Sequence, residues 1–174
     1  MNLILRLLWQ AIFARFRSPV SVFGPCRTAF TVLPTDLDVL IHVNNGVYLS
    51  MMDVARIDLM QRSGLFAPIS KKGWYPVVVA QSIRYKRPLL ALQRFIIETR
   101  VLGWDDKAFV VEQRFERKGE VVAHALVRAR FLSRKDGNVT PGDIVALVPS
   151  PPATPILPEY AVRWNADHSR WPAT

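Results

Sequence analysis

The segment 46–60 restricts this chain more than any other, because wound as a helix it has almost no polar face. Tyr48, Leu49, Met51, Met52, Val54, Ala55, Ile57, Leu59 and Met60 occupy most of its circumference, so such a helix must be buried nearly all round. The flanking sequence supplies a cover. A first strand is expected at 27–33, ended by Pro34, and beyond Pro76 the apolar period changes from helical to two, giving strands at 77–85, 95–102, 109–115 and 121–132. Gly103-Trp104-Asp105-Asp106 and Lys118-Gly119 read as hairpin turns, so the last three strands are expected to form an antiparallel meander. The order of one strand, one buried helix and four strands predicts an α+β fold, an antiparallel sheet wrapped around a long helix.

A chain of 174 residues supports one sizeable core. The expected organisation is an N-terminal amphipathic segment and linker (1–25), one domain (26–140) and a proline-rich arm (141–174), read as extended. In the last strand, Val121, Ala123, Ala125, Val127, Ala129 and Phe131 are expected to face inward. His124, Arg128 and Arg130 are expected on an outer face in contact with solvent.

Residues 1–17 hold Arg6, Arg15 and Arg17 among Leu, Ile, Trp and Phe. The uncharged runs are too short to span a bilayer, so the segment is read either as a helix at a membrane surface or as one packed on protein. A formal net charge of +9 favours acidic partners: coenzyme A phosphates, an acidic carrier protein or an anionic membrane. No nucleic-acid reading motif accompanies it, and nucleic acid is not expected as a partner. Cys26, the only cysteine, excludes an intramolecular disulfide and suits a reducing, cytoplasmic setting, with membrane association through 1–17 as the variant. His42, His124 and His168 lack the spacing of metal ligands, and no cofactor is implied.

The chemistry is concentrated in 35–49, TDLDVLIHVNNGVYL, where Asp36, Asp38, His42, Asn44 and Asn45 precede the helix directly. A helix N-terminus offers unpaired N–H groups and a positive dipole end to a polarised carbonyl oxygen. A carboxylate and an imidazole beside it can act as nucleophile or general base. Residue by residue, the same side chains can also be Asx turns and helix caps.

Taken together, this cluster resembles the motif D-x-D-x-N-x-H-x-N-N-x-x-Y of hotdog-fold thioesterases, in the branch of 4-hydroxybenzoyl-CoA thioesterase-like and acyl-ACP thioesterase-like enzymes. Asp36, Asp38, His42, Asn44, Asn45 and Tyr48 match it. The resemblance extends through Asp53-Val54-Ala55-Arg56, Ile83-Arg84-Tyr85-Lys86-Arg87-Pro88 and Leu102-Gly103-Trp104-Asp105. It implies Asp38 as the catalytic carboxylate, His42 as its assistant, and backbone N–H groups of Gly46 and Val47 as oxyanion donors. Asn45 would orient the loop, and Asn44, Tyr48, Met51 and Met52 would touch substrate.

The implied substrate is an acyl-CoA or acyl-carrier-protein thioester, with a fatty acyl group favoured by the apolar helix, and the implied assembly is a homodimer or tetramer. Leu40 stands where the acyl-ACP enzymes place an asparagine. That departure sustains an alternative, a catalytically silent acyl-chain or lipid-binding protein at a membrane surface. A dehydratase acting on hydroxyacyl thioesters is a third reading. Asp53 and Arg56, three apart on the helix, read as an ion pair.

Overall fold

The computed structural model describes residues 17–135, 137–149 and 157–169. The helix expected within 1–17 lies outside the described residues except for Arg17. The elements are β1 (Cys26–Thr31), a 3-10 turn (Pro34–Asp36), α1 (Asn45–Arg62), α2 (Phe66–Lys71), β2 (Trp74–Tyr85), β3 (Arg94–Trp104), β4 (Phe109–Arg117), β5 (Glu120–Ser133), β6 (Gly137–Val139), α3 (Pro141–Val145) and α4 (Glu159–Asp167). The strands form one antiparallel sheet in the order β1-β3-β4-β5-β2, with β6 pairing β5 beyond the point where β4 ends. Its curl around α1 makes this a hotdog fold. The meander β3-β4-β5 is present as expected.

α1 is capped by the Asn44 side chain and stops at Ser63, with Gly64 in the left-handed region at φ +76°. Met51, Met52, Val54 and Ala55 are fully buried against the sheet. An aromatic row ties the layers, running Phe30 to Phe95 (5.5 Å), Phe95 to Phe115 (5.8 Å) and Phe115 to Tyr48 (5.2 Å), from β1 across β3 and β4 into α1.

One buried charge joins helix to sheet. Asp58, fully buried on α1, accepts hydrogen bonds from Thr28 Oγ1 (2.7 Å), Arg17 (3.2 Å) and Arg62 (3.4 Å). The Cys26 thiol lies 3.8 Å from the same carboxylate, and burial together with that charge pushes its pKa up to about 11. Cys26 is therefore an inert core thiol.

The C-terminal region differs from the extended arm expected. It contains α3 and α4, and α4 lies on the outer face of the sheet, where Tyr160 reaches Glu112 and Asn165 reaches Arg128 and Asp105. This corrects the solvated outer face read for β5: Arg128 is 3 % exposed. The cover made by α4 buries β5 on both sides, so simple alternation no longer reports which side chains meet water.

Candidate active site

The loop between β1 and α1 closes on itself by an isolated bridge between Leu37 and Val43. Inside that bridge the Asp38 N–H donates to the His42 carbonyl (2.8 Å) and the Ile41 N–H to the Asp38 carbonyl (3.0 Å). Asp38 and His42 are thus fixed across a tight turn, both half-buried. Their side chains form no ion pair with each other. Asp38 Oδ1 accepts the Leu40 N–H at 2.9 Å, and neither Asp38 Oδ2 nor the His42 ring has a hydrogen-bond partner among the described residues. The backbone of Leu40 therefore orients the carboxylate, while its side chain is 69 % exposed.

Asp36, two residues earlier, has a different duty. It is fully buried, accepts the Leu33 N–H at 2.8 Å, and its carbonyl accepts the Asn44 N–H at 2.9 Å. These bonds pin both ends of the loop to the start of α1.

At the helix N-terminus, Asn44 Oδ1 accepts the Gly46 N–H (2.9 Å), and the Asn44 carbonyl accepts the Val47 N–H (2.9 Å) and the Tyr48 N–H (3.3 Å). A Cβ at Gly46 would meet Asn44 Oδ1 at 3.3 Å, so glycine here gives the cap its close approach. Both amides expected to hold an oxyanion are engaged in capping. The Asn45 N–H is the first-turn donor without a partner among the described residues. Asn44 and Asn45 are exposed.

Tyr48, Met51 and Met52, expected to touch substrate, are buried in the core. Tyr48 is 2 % exposed, its hydroxyl oxygen accepts the Leu89 N–H at 3.3 Å, and both methionines are completely buried. A cavity of about 360 Å³ lies along the second half of α1 and is lined by Ile57, Met60, Leu65, Val101, Phe109 and Phe131, with Asp53 and Arg56 at its wall. Sequence reasoning missed this lining because a helix that is apolar all round does not reveal which flank faces empty space.

Asp53 and Arg56 pair as expected, and Arg56 also donates to Gln113 Oε1 at 2.5 Å. Gln113 in turn donates to the Met52 carbonyl (3.1 Å) and Thr99 Oγ1 (3.0 Å). Burial draws the Arg56 pKa below its ordinary value against the pull of Asp53. Among the described residues no group of three His, Cys, Asp or Glu gathers as a metal ion would need, and no helix is long and apolar enough to cross a membrane.

A hotdog sheet around a buried helix, with an aspartate-bearing loop at that helix's N-terminus, defines the architecture of thioesterase-like proteins. The chain belongs to the thioesterase-like superfamily, whose family model matches residues 32–160. Among curated proteins it is 40 % identical over 135 residues to Protein THEM6 of Xenopus laevis, covering 76 % of this chain and 63 % of that one. It thus spans less than two thirds of that relative's length. It is 32 % identical over 103 residues to the long-chain acyl-CoA thioesterase FadM of Escherichia coli, covering 58 % of this chain and 78 % of FadM. Among solved structures, the probable thioesterase YbaW from Escherichia coli superposes with a TM-score of 0.63 at 28 % identity, over 66 % of this chain and 89 % of YbaW.

Proposed function

We propose that the protein hydrolyses acyl thioesters, carried by coenzyme A or by an acyl carrier protein, at the turn holding Asp38. The observation that supports this most is an under-bonded carboxylate on the closed turn that leads into an open helix N-terminus. Asp38 Oδ2 and the Asn45 N–H both lack partners among the described residues, on a loop otherwise held by hydrogen bonds.

The thioester carbonyl oxygen would take the Asn45 N–H, with the helix dipole behind it. Any use of the Gly46 or Val47 N–H would require sharing with the Asn44 cap. Asp38 would take a proton from the attacking water, or attack the carbonyl carbon to give an acyl-Asp38 anhydride that water then cleaves; by either route the C–S bond breaks, the sulfur leaves as a thiol and the acyl group as a free acid. His42, on the same turn, would orient the carboxylate or carry the proton to the departing sulfur. The apolar cavity between α1 and the sheet would take a fatty acyl chain, which the FadM likeness also favours.

The open edge of β2, with Tyr75, Val78 and Val79 exposed, favours pairing with a second copy, hence a homodimer or tetramer. The catalytically silent acyl-binding reading is favoured by Leu40, whose side chain cannot position a water.

Thiol release from acyl-CoA and acyl-carrier-protein substrates of graded chain length, with product analysis, separates these readings. Hydrolysis gives free acid and thiol, a dehydratase leaves the thioester intact, and a silent binder leaves the substrate unchanged. Val101→Trp, which fills the cavity, is expected to move the preferred substrate toward shorter chains.

A further inference from the structure

The four most exposed large apolar side chains among the described residues stand on two adjacent loops: Val39 (97 %), Leu92 (72 %), Leu40 (69 %) and Ile41 (68 %). The loops are laced together at their bases, the Val43 N–H donating to the Leu89 carbonyl (3.0 Å) and the Leu92 N–H to the Val32 carbonyl (2.9 Å). Both leave the end of the sheet where β1 finishes and β3 begins.

Ile41 and Leu92 are held at φ +61° and +60°. This is the left-handed region, where glycine or asparagine is the ordinary choice and a β-branched residue is an outlier. Among the described residues the third non-glycine residue of this kind, Lys118, sits in the Lys118-Gly119 hairpin, where such a φ is routine. At 41 and 92 the fold accepts strain to present an apolar side chain to solvent. Core packing does not explain these two residues, whose side chains face solvent.

The surrounding charge selects the partner. Residues 84–94 carry Arg84, Lys86, Arg87 and Arg94, all exposed, and no acid. Only Arg87 is neutralised, by Glu120 at 2.6 Å, while Arg84, Lys86 and Arg94 form no ion pair among the described residues. Apolar tips within a cationic collar suit an anionic bilayer: the side chains enter the acyl boundary and the cations meet headgroup phosphates. A symmetric contact with a second copy would bring this collar toward another of the same sign, and protruding turns offer no groove for a peptide.

We propose that the 39–41 and 90–92 loops insert into anionic phospholipid surfaces, bringing the Asp38 turn to the membrane interface. This contact is separate from residues 1–17 and holds whether or not the site hydrolyses thioesters.

The test uses the full chain with Val39→Cys carrying an environment-sensitive dye, since the buried thiol of Cys26 escapes labelling. With vesicles of equal parts phosphatidylcholine and phosphatidylglycerol the dye should shift to the blue and be quenched by lipid-borne quenchers. Phosphatidylcholine vesicles should give a much smaller shift. In the unlabelled chain, Ile41→Asn with Leu92→Asn should weaken partitioning into the anionic vesicles at least tenfold, a factor worth about 1.4 kcal/mol, and raise the melting temperature by about 2–4 °C as strain is relieved.

Three results would overturn the proposal: co-sedimentation with vesicles while the dye stays in a water-like environment, a dye shift that follows protein concentration without lipid, or a double variant that melts lower and binds equally well. The second would mean that another copy covers the tips.

Discussion

Two regions of this molecule concentrate ionisable side chains, and they treat them in opposite ways. On the outer face of the sheet the two carboxylates beneath α4 are fully engaged. Glu112 accepts from His124 (2.8 Å), Tyr160 (2.7 Å) and Arg114 (3.0 Å), and Asp105 accepts from Arg128 (2.6 Å), Asn165 (2.9 Å) and the N–H groups of Lys107 and Ala108 (2.8 Å each). Burial alone would raise both carboxyls, yet these bonds outweigh it and hold each at about 2. In the Asp38 turn the backbone is closely bonded, but among the described residues the Asp38 carboxylate accepts one N–H and the His42 ring has no partner. Saturated carboxylates fasten α4 to the sheet; the Asp38 carboxylate, with one N–H bond, is the one we propose acts on a substrate.

The contrast makes opposite predictions for the two regions. Asp38→Asn should cost at least about 100-fold in kcat/KM for thiol release while leaving the melting temperature within error, because only one hydrogen bond is at stake. Arg128→Leu should do the reverse, destabilising the fold by about 3 kcal/mol in chemical denaturation with turnover nearly unchanged. That figure is at the low end for a broken buried pair because Asp105 keeps 27 % of its side-chain surface in water.

Acid should act through the outer face. Asp105 and Glu112 titrate below their ordinary values of 3.8 and 4.5. Their contribution is fully present above about pH 5 and is lost as pH falls toward 2. Tryptophan fluorescence, which includes Trp164 on α4, should follow that loss. The smallest effect belongs to the cap: Asn44→Ala should cost about 1 kcal/mol by losing the bond to the Gly46 N–H.

Much of this was legible in the residues, and the exceptions have physical causes. The helix 46–60 and the meander appear because periodicity and hairpin turns are local signals. The closed turn carrying Asp38 and His42 just ahead of α1 is built from neighbours in sequence. The burial of Arg128 was not, since it depends on α4 returning from more than thirty residues downstream. Signals for that helix existed in Pro158 before Glu159 and in Ala161 and Asn165 spaced four apart, but proline-rich composition masked them. The cavity was illegible for another reason: it is a failure of packing between α1 and the sheet, and identical apolar side chains line it and fill the core.

The most direct test places Asp38→Asn and Glu112→Gln side by side, measuring thiol release from a long-chain acyl-CoA and thermal melting on the same preparations. The first is expected to lose turnover by orders of magnitude at an unchanged melting temperature, and the second to melt lower with turnover retained. Undiminished thiol release by Asp38→Asn, or collapse of turnover in a well-folded Glu112→Gln, would contradict this expectation.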